Sequence, residues 1–106
     1  MMETLRFVSV ARVGEIPPGG VRVVRLDDQL VAVFHVDGRY YALDDVCTHD
    51  GGPLAEGPLE GTVVECPRHG ARFDVRTGAV LCMPGTAPVP THETRVAGDE
   101  IQVAWP

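Results

Sequence analysis

Two short stretches near the middle of the chain each carry one cysteine and one histidine. Cys47 and His49 lie in DDVCTHDGGPL, and Cys66 and His69 lie in VVECPRHGARFD. The order is Cys-x-His, sixteen intervening residues, then Cys-x-x-His, with glycines beside both pairs. Thiolates and imidazoles are the ligands that soft and borderline transition metals prefer. Two matched pairs therefore favour a shared metal centre, built from two separate loops.

Two interpretations need no metal. A nucleophilic cysteine requires a base and an orienting group that are normally distant in sequence, and it would explain only one of the two cysteines. Chance is the other, because a single cysteine is often a small buried apolar residue and a single histidine is often on the surface. The pairing of both residue types beside glycines makes either interpretation less favourable than a metal site.

Zinc and an iron–sulfur cluster remain as metal sites. Four N and S ligands suit tetrahedral zinc, but zinc sites usually group like ligands, whereas each stretch here mixes them. Side chains at i and i+2 of extended chain point to the same side, which suits two adjacent metal ions better than chelation of one. An all-cysteine cluster needs four thiolates, and the chain has three cysteines. A mixed cluster, with two cysteines on one iron and two histidines on the other, uses all four residues.

The elements that must position these residues are predicted to be short strands. Twelve glycines and nine prolines punctuate the chain about every ten residues, and helical periodicity is absent. Apolar or alternating runs predict strands at 5–11, 21–26, 30–36, 40–43, 62–66, 71–75, 79–82, 93–96 and 100–105. The run 30–36 is almost entirely apolar, which predicts burial on both faces. Many short strands joined by glycine-rich turns predict an all-β sandwich or small barrel.

Three dipeptides predict the turns between neighbouring strands: Asp37 with Gly38, Thr77 with Gly78, and Gly98 with Asp99. Two segments interrupt the pattern of strands, a Gly-, Pro- and acid-rich stretch at 47–60 and a proline loop at 83–90. Long loops on a β scaffold are where function tends to lie, and both Cys/His pairs lie at or near the first of these segments.

Composition excludes several classes of protein. A chain of 106 residues predicts one domain, 1–106. The formal charge is −6 and the nine basic residues are all arginine and scattered, which argues against nucleic acid as a partner. No signal peptide is visible, and no apolar run approaches the ~20 residues of a membrane helix. An odd number of cysteines is unlike a disulfide framework, so the expected location is the cytoplasm.

The four residues at this spacing resemble the fingerprint of the Rieske 2Fe–2S family, which fixes four ligand types, three spacings and Gly70. The resemblance implies a Rieske-type β-sandwich with a cluster-binding loop subdomain at about 45–70, and a shielding third loop at 84–90. It implies that Cys47 and Cys66 bind the inner iron of one 2Fe–2S cluster and that His49 and His69 bind the outer iron. It also suggests that Leu54 shields the cluster.

The chain departs from the high-potential members of that family. Their two disulfide cysteines correspond to Gly52 and Arg68 here, and their two hydroxyl donors to the cluster correspond to Ala71 and Phe73. Without those donors the extra negative charge of the reduced state is less stabilised, so we expect a low reduction potential. Acidic residues would act in the same direction if they are close: Asp44, Asp45, Asp50 and Glu65.

The resemblance is to the soluble ferredoxin components of bacterial ring-hydroxylating dioxygenases, so the expected role is one-electron transfer rather than catalysis. The expected partners are a flavin-dependent reductase and a terminal oxygenase, and the protein is expected to be a monomer. Two alternatives are the small Rieske-like subunit of an NADH-dependent nitrite reductase and a zinc-stabilised binding module. Four residues are given no ligand role: Cys82 as a small packed residue, His35 at the edge of the core, His92 as exposed, and Trp105 as an anchor of the last strand.

Overall fold

The fold, taken from a computed structural model, is described for residues 5–47, 52–67, 70–82 and 87–106. Within these ranges it has strands and turns and no helix, as the turn-rich sequence predicted. The strands are β1 Arg6–Arg12, β2 Val21–Leu26, β3 Gln29–Val36, β4 Arg39–Asp44, β5 Leu59–Glu60, β6 Val63–Glu65, β7 Arg72–Asp74, β8 Val80–Cys82, β9 Thr91–His92, β10 Thr94–Ala97 and β11 Glu100–Trp105. No helix in the described part of the chain is long and apolar enough to cross a membrane.

All nine predicted strands are present, each with its ends within one residue of the predicted bounds. The sequence missed β5 and β9, which are two residues long. A two-residue strand is too short to show an alternating pattern, and these two exist only because they pair with β6 and β4. The fold class, all-β with antiparallel pairing, is confirmed.

The strands form three antiparallel sheets, with orders β1-β11-β10, β2-β3-β4-β9 and β5-β6-β7-β8. The second sheet is the middle layer, because the two faces of β3 enter different cores. Ala32, Phe34 and Val36 face a core shared with the β5–β8 sheet. Val31 and Val33 face a core shared with β11 of the first sheet. Strand alternation thus divides the interior into two cores with one sheet between them.

The burial of β3 confirms the reading of its apolar run. The four residues from Val31 to Phe34 are at most 1% exposed. The prediction fails at the first residue of that run, since Leu30 is 40% exposed, and His35 is half-buried. His35 is held at the edge of the core, where Nδ1 lies 2.7 Å from the carbonyl oxygen of Ile16.

The predicted turns lie where the dipeptides placed them. Asp37 and Gly38 both have positive φ, 51° and 78°, which is the geometry of the tight hairpin that joins β3 to β4. Gly98, with φ of 64°, closes the β10–β11 hairpin. At the β7–β8 connection the amide of Gly78 donates to the carbonyl of Asp74 at 2.7 Å. Of these turns, only the one between β7 and β8 lies in the sheet that contains the Cys66 stretch.

Candidate metal centre

The two cysteines of the paired motifs lie in the same core, between the middle sheet and the β5–β8 sheet. Cys47 is 0% and Cys66 is 1% exposed. Both belong to one cluster of buried residues that also contains Leu54, Ala71 and Phe73. The chain therefore brings together two sulfur ligands that are nineteen positions apart in sequence, in surroundings that exclude water.

The backbone amide of each cysteine donates a hydrogen bond to the carbonyl of the residue five positions later. The amide of Cys47 donates to the carbonyl of Gly52 at 2.7 Å. The amide of Cys66 donates to the carbonyl of Ala71 at 2.7 Å, and the amide of Gly70 donates back to the carbonyl of Cys66 at 3.0 Å. Gly70 has a φ of +77°, a conformation that side chains with a Cβ rarely adopt. The glycine after the second motif is thus required by the turn that Cys66 opens.

The two histidines of the motifs, His49 and His69, lie outside the described residues, as does Asp50. Among the residues that are described, no group of three or more His, Cys, Asp or Glu is placed to hold a metal ion. A four-ligand centre at Cys47 and Cys66 therefore needs two donors from segments beyond the described ranges. His49 and His69 remain the predicted donors.

The proline loop reaches the same core. Residues 83–86 lie outside the described part of the chain, but Val89 is 2% exposed and packs in the cluster that contains both cysteines. Its amide donates to the carbonyl of Gly78 at 2.8 Å. Leu54, which was expected to shield the centre, is 0% exposed in this cluster. Leu54 and Val89 thus bring apolar side chains from two separate segments into the core that holds both cysteines.

Three of the four acidic residues expected near the centre are in the described ranges, and each has a polar partner. Asp44 Oδ1 lies 2.8 Å from His92 Nε2. Glu65 accepts from Nε of Arg72 at 3.0 Å, a pairing that raises the pKa of the Arg72 guanidinium above its ordinary value. Asp45 accepts from two backbone amides. Their charges are therefore partly balanced within the protein.

The two positions that lack hydroxyl groups line the cysteine core. Ala71 and Phe73 are both 0% exposed and belong to the cluster with Cys47 and Cys66. Cys47, Cys66 and Cys82 form no disulfide with one another. Ala71 and Phe73 thus add apolar side chains to the core that contains both cysteines.

Two side-chain predictions were wrong. Cys82 is not packed in the interior but is exposed on β8, where its thiol donates to the carbonyl of Gly70 at 3.5 Å. β8 is an edge strand of its sheet, and Cys82 is its last residue. His92 is not exposed but half-buried, between Asp44 and the ring of Trp105 at 5.0 Å.

The prediction for Trp105 is confirmed. Trp105 anchors the last strand, since its Nε1 donates to Oδ2 of Asp27 at 2.8 Å.

The donor set fits a mixed-ligand cluster. Burying two ionised thiolates in an apolar core is unfavourable unless a cation balances them, and a metal is the ordinary way to do so. Among the described residues two cysteines are buried, Cys47 and Cys66. In the sequence a histidine follows the first by two positions and the second by three. This count agrees with two sulfur and two nitrogen ligands.

Known proteins resemble the chain over nearly its whole length. The model of the Rieske [2Fe-2S] domain matches residues 6–93. The ferredoxin component of the naphthalene 1,2-dioxygenase system of Pseudomonas aeruginosa is 36% identical over 100 residues, covering 94% of this chain and 96% of that protein. The 3-phenylpropionate/cinnamic acid dioxygenase ferredoxin subunit of Photorhabdus laumondii is 42% identical over 95 residues, covering 89% and 90%.

Solved structures agree with these sequence matches. A chain in the complex of reduced oxygenase and oxidized ferredoxin of carbazole 1,9a-dioxygenase superposes with a TM-score of 0.88, at 38% identity and 92% coverage of both chains. The structural similarity thus extends over nearly all of both chains.

Proposed function

The chain belongs to the Rieske [2Fe-2S] family, and on that premise we propose that it passes single electrons from a flavin-dependent reductase to a terminal oxygenase. It carries one 2Fe–2S cluster of the Rieske type and is an electron-transfer protein, not an enzyme in its own right. The relatives that support the choice of partners are ferredoxins named for dioxygenase systems acting on aromatic compounds, and one similar structure is a complex with an oxygenase.

Cys47, His49, Cys66 and His69 are the proposed ligands. When bound, the cluster accepts and releases one electron, at a potential that two neutral imidazoles raise to roughly −150 to +300 mV, compared with ferredoxins that have four cysteines. The observation that supports this set most strongly is the pair of buried thiols in one apolar core, each followed by a histidine of the motif.

The protein around the ligands has two tasks in this function. The apolar side chains of Leu54, Phe73 and Val89 keep water from the sulfur ligands, and a rigid, dry site needs little rearrangement when its charge changes by one electron. The absence of hydroxyl groups at Ala71 and Phe73 leaves the reduced charge less stabilised. We infer a potential at the low end of the family range, suited to donating electrons onward.

The proposal also covers the extent of the domain, its location and its oligomeric state. Residues 1–106 form a single Rieske unit with cluster-binding loops at about 45–70 and a third loop at 83–90. The protein works in the cytoplasm as a monomer, where the thiol of Cys82 stays reduced. The alternatives, a nitrite reductase subunit or a zinc module, find no support in the relatives reported above, which are ferredoxins.

Iron and sulfide analysis with EPR of the reduced protein tests the ligands. Wild type is expected to contain two irons and two sulfides and to give a Rieske signal. Cys66→Ser and His69→Ala should each lose it, whereas Cys82→Ser, a matched control on the exposed thiol, should keep it. Zinc in place of iron in wild type, or a full Rieske signal in Cys66→Ser, would contradict the ligand set.

Electron transfer is tested with the purified reductase and terminal oxygenase of a naphthalene dioxygenase system. The wild-type protein should restore NADH-dependent hydroxylation to a mixture that lacks its own ferredoxin, and Cys66→Ser should not. A wild-type protein with an intact Rieske signal that is not reduced by any flavoprotein reductase of this class would contradict the proposed role.

A further inference from the structure

The carboxylate of Asp45 closes the segment that follows Cys47. Its Oδ1 accepts from the amide of Leu54 at 2.9 Å and from the amide of Ala55 at 2.7 Å. The backbone of Asp45 is itself fixed, because its amide donates to the carbonyl of Leu30 at 2.9 Å, at the start of β3. One oxygen atom therefore ties residue 45 to residues nine and ten positions later in the chain.

The two amides bonded to Asp45, those of Leu54 and Ala55, belong to the segment between the two cysteines. The side chain of Leu54 is 0% exposed and packs in the core with Cys47 and Cys66. The carbonyl of Leu54 accepts from the amide of Gly57 at 3.1 Å. Holding Leu54 in place thus fixes both a side chain beside the sulfur atoms and the turn that follows it.

That turn touches the residue before the second cysteine. A Cβ on Gly57 would overlap the carbonyl oxygen of Glu65, so the two backbones are in close contact there. The amide of Glu65 donates to the carbonyl of Pro58 at 3.0 Å. A continuous series of contacts therefore runs from Asp45, through Leu54 and Gly57, to β6, which ends one residue before Cys66.

We propose that Asp45 is a positioning residue that sets Cys47 and Cys66 at the spacing that the cluster needs. It does so through its Oδ1 atom, which accepts hydrogen bonds from the backbone amides of Leu54 and Ala55. We call this arrangement the Asp45 clasp. The inference rests on the proposed function, in which both cysteines are ligands. It assigns to Asp45 a task that depends on the position of its Oδ1 atom rather than on its negative charge.

The distinction between position and charge gives the first test, hydrogen exchange of the purified holoprotein followed by mass spectrometry. Asp45→Ala removes the acceptor, and exchange in peptides that contain Leu54 and Ala55 should become about tenfold faster, as expected for a lost hydrogen bond of ordinary strength. Asp45→Asn keeps an acceptor at Oδ1 and should stay within about threefold of wild type. Pro53 has no amide hydrogen to exchange, so it adds no signal to these peptides.

Asp28→Ala is the matched control. Asp28 is exposed in the turn between β2 and β3, so its replacement removes one negative charge without touching the clasp, and exchange at Leu54 and Ala55 should not change. Unchanged exchange in Asp45→Ala, or Asp45→Asn behaving like Asp45→Ala, would overturn the proposal. If Asp45→Ala does not fold, Asp45→Val, which has similar size to Asp and no acceptor, gives the same comparison with Asp45→Asn.

The second readout is the cluster itself. Under an iron chelator, the Rieske EPR signal of Asp45→Ala should decay about tenfold faster than that of wild type, with Asp45→Asn close to wild type. A wild-type protein without a Rieske signal would contradict the proposed function and leave the exchange experiment valid, since exchange reads the backbone alone. Equal decay in wild type and Asp45→Ala, with wild-type signal intact, would overturn the clasp only.

Discussion

Nε2 of His92 lies 2.8 Å from Oδ1 of Asp44, although the two residues are 48 positions apart in the chain. Asp44 ends β4, three residues before Cys47, and His92 lies in β9, directly after the proline loop. The amide of Asp44 also donates to the carbonyl of Pro90 at 3.0 Å. These two hydrogen bonds therefore join the end of β4, just before Cys47, to β9, just after the proline loop.

Replacing His92 by alanine should lower the free energy of unfolding by about 1–2 kcal/mol, because the half-buried Asp44 carboxylate loses a hydrogen bond. His92→Gln, which keeps a donor, should recover part of that loss. The measurement is chemical unfolding at neutral pH. Arg25→Ala, at an exposed position of β2, is the control. His35→Ala would not serve, because His35 also has a hydrogen-bonding partner, the carbonyl of buried Ile16. Equal stability of His92→Ala and wild type would refute the prediction.

Adding hydroxyl groups beside the sulfur ligands should raise the reduction potential. Ala71→Ser and Phe73→Tyr each place a donor in the core that holds Cys47 and Cys66, and a donor stabilises the reduced state by about 1.5–3 kcal/mol. For a one-electron couple that corresponds to a rise on the order of 60–130 mV. Anaerobic titration followed by EPR measures it.

The control for this pair is Val80→Thr, which adds a hydroxyl to a half-buried residue packed against the same core without replacing either predicted donor position. Its potential should change less than that of Phe73→Tyr. A potential that does not move in either Ala71→Ser or Phe73→Tyr would show that the missing hydroxyl groups are not what keeps the potential low.

Acid should weaken the β7–β8 hairpin through Asp74. Its carboxylate accepts from Nε and Nη2 of Arg76 at 3.1 and 2.8 Å and from the amide of Arg76 at 2.9 Å. The side-chain hydrogen bonds of Arg76 are the main cause that lowers the pKa of Asp74 below its ordinary value of 3.8. A lowered pKa in the folded state means that ionised Asp74 stabilises the fold above pH 3.8, and that this contribution is lost as the pH falls through the lower, folded-state value.

Unfolding of wild type and Asp74→Asn between pH 6 and pH 2 should therefore show a stability difference at pH 6 that shrinks below about pH 3.8. Asp28→Asn, an exposed acid in another turn, should follow the wild-type curve. A difference between wild type and Asp74→Asn that is the same at both ends of the range would contradict the assignment to ionised Asp74.

Replacing Gly57 by alanine should be strongly destabilising, because the added Cβ would overlap the carbonyl oxygen of Glu65, a backbone atom that cannot move aside freely. Gly61→Ala is the matched control. Its φ is +59°, and no atom lies within 4 Å of an added Cβ, so it carries only the cost of a left-handed conformation, about 1–2 kcal/mol. Thermal unfolding of the two variants should place Gly57→Ala below Gly61→Ala, and the reverse order would contradict the close contact.

Much of the fold followed from local sequence patterns. Residues 30–36 read as a strand buried on both faces, and the structure buries Val31 to Phe34 between two cores. The hairpin at Asp37 and Gly38 was readable because few residues tolerate two consecutive positive φ angles. What could not be read was the environment of single side chains such as Cys82 and His92, because their neighbours come from remote parts of the chain.

The sequence by itself determined which residues are the proposed ligands, since the identity and spacing of Cys47, His49, Cys66 and His69 follow from the order of residues. It also determined nine of the eleven strands in the described part of the chain, because alternation and turn residues act over a few positions. Only the tertiary structure decided that Cys47 and Cys66 share one dry core, and that the oxygen of Asp45 holds the segment between them. Those contacts join residues distant in the chain, and they form only when the middle sheet presents one face to the β5–β8 sheet.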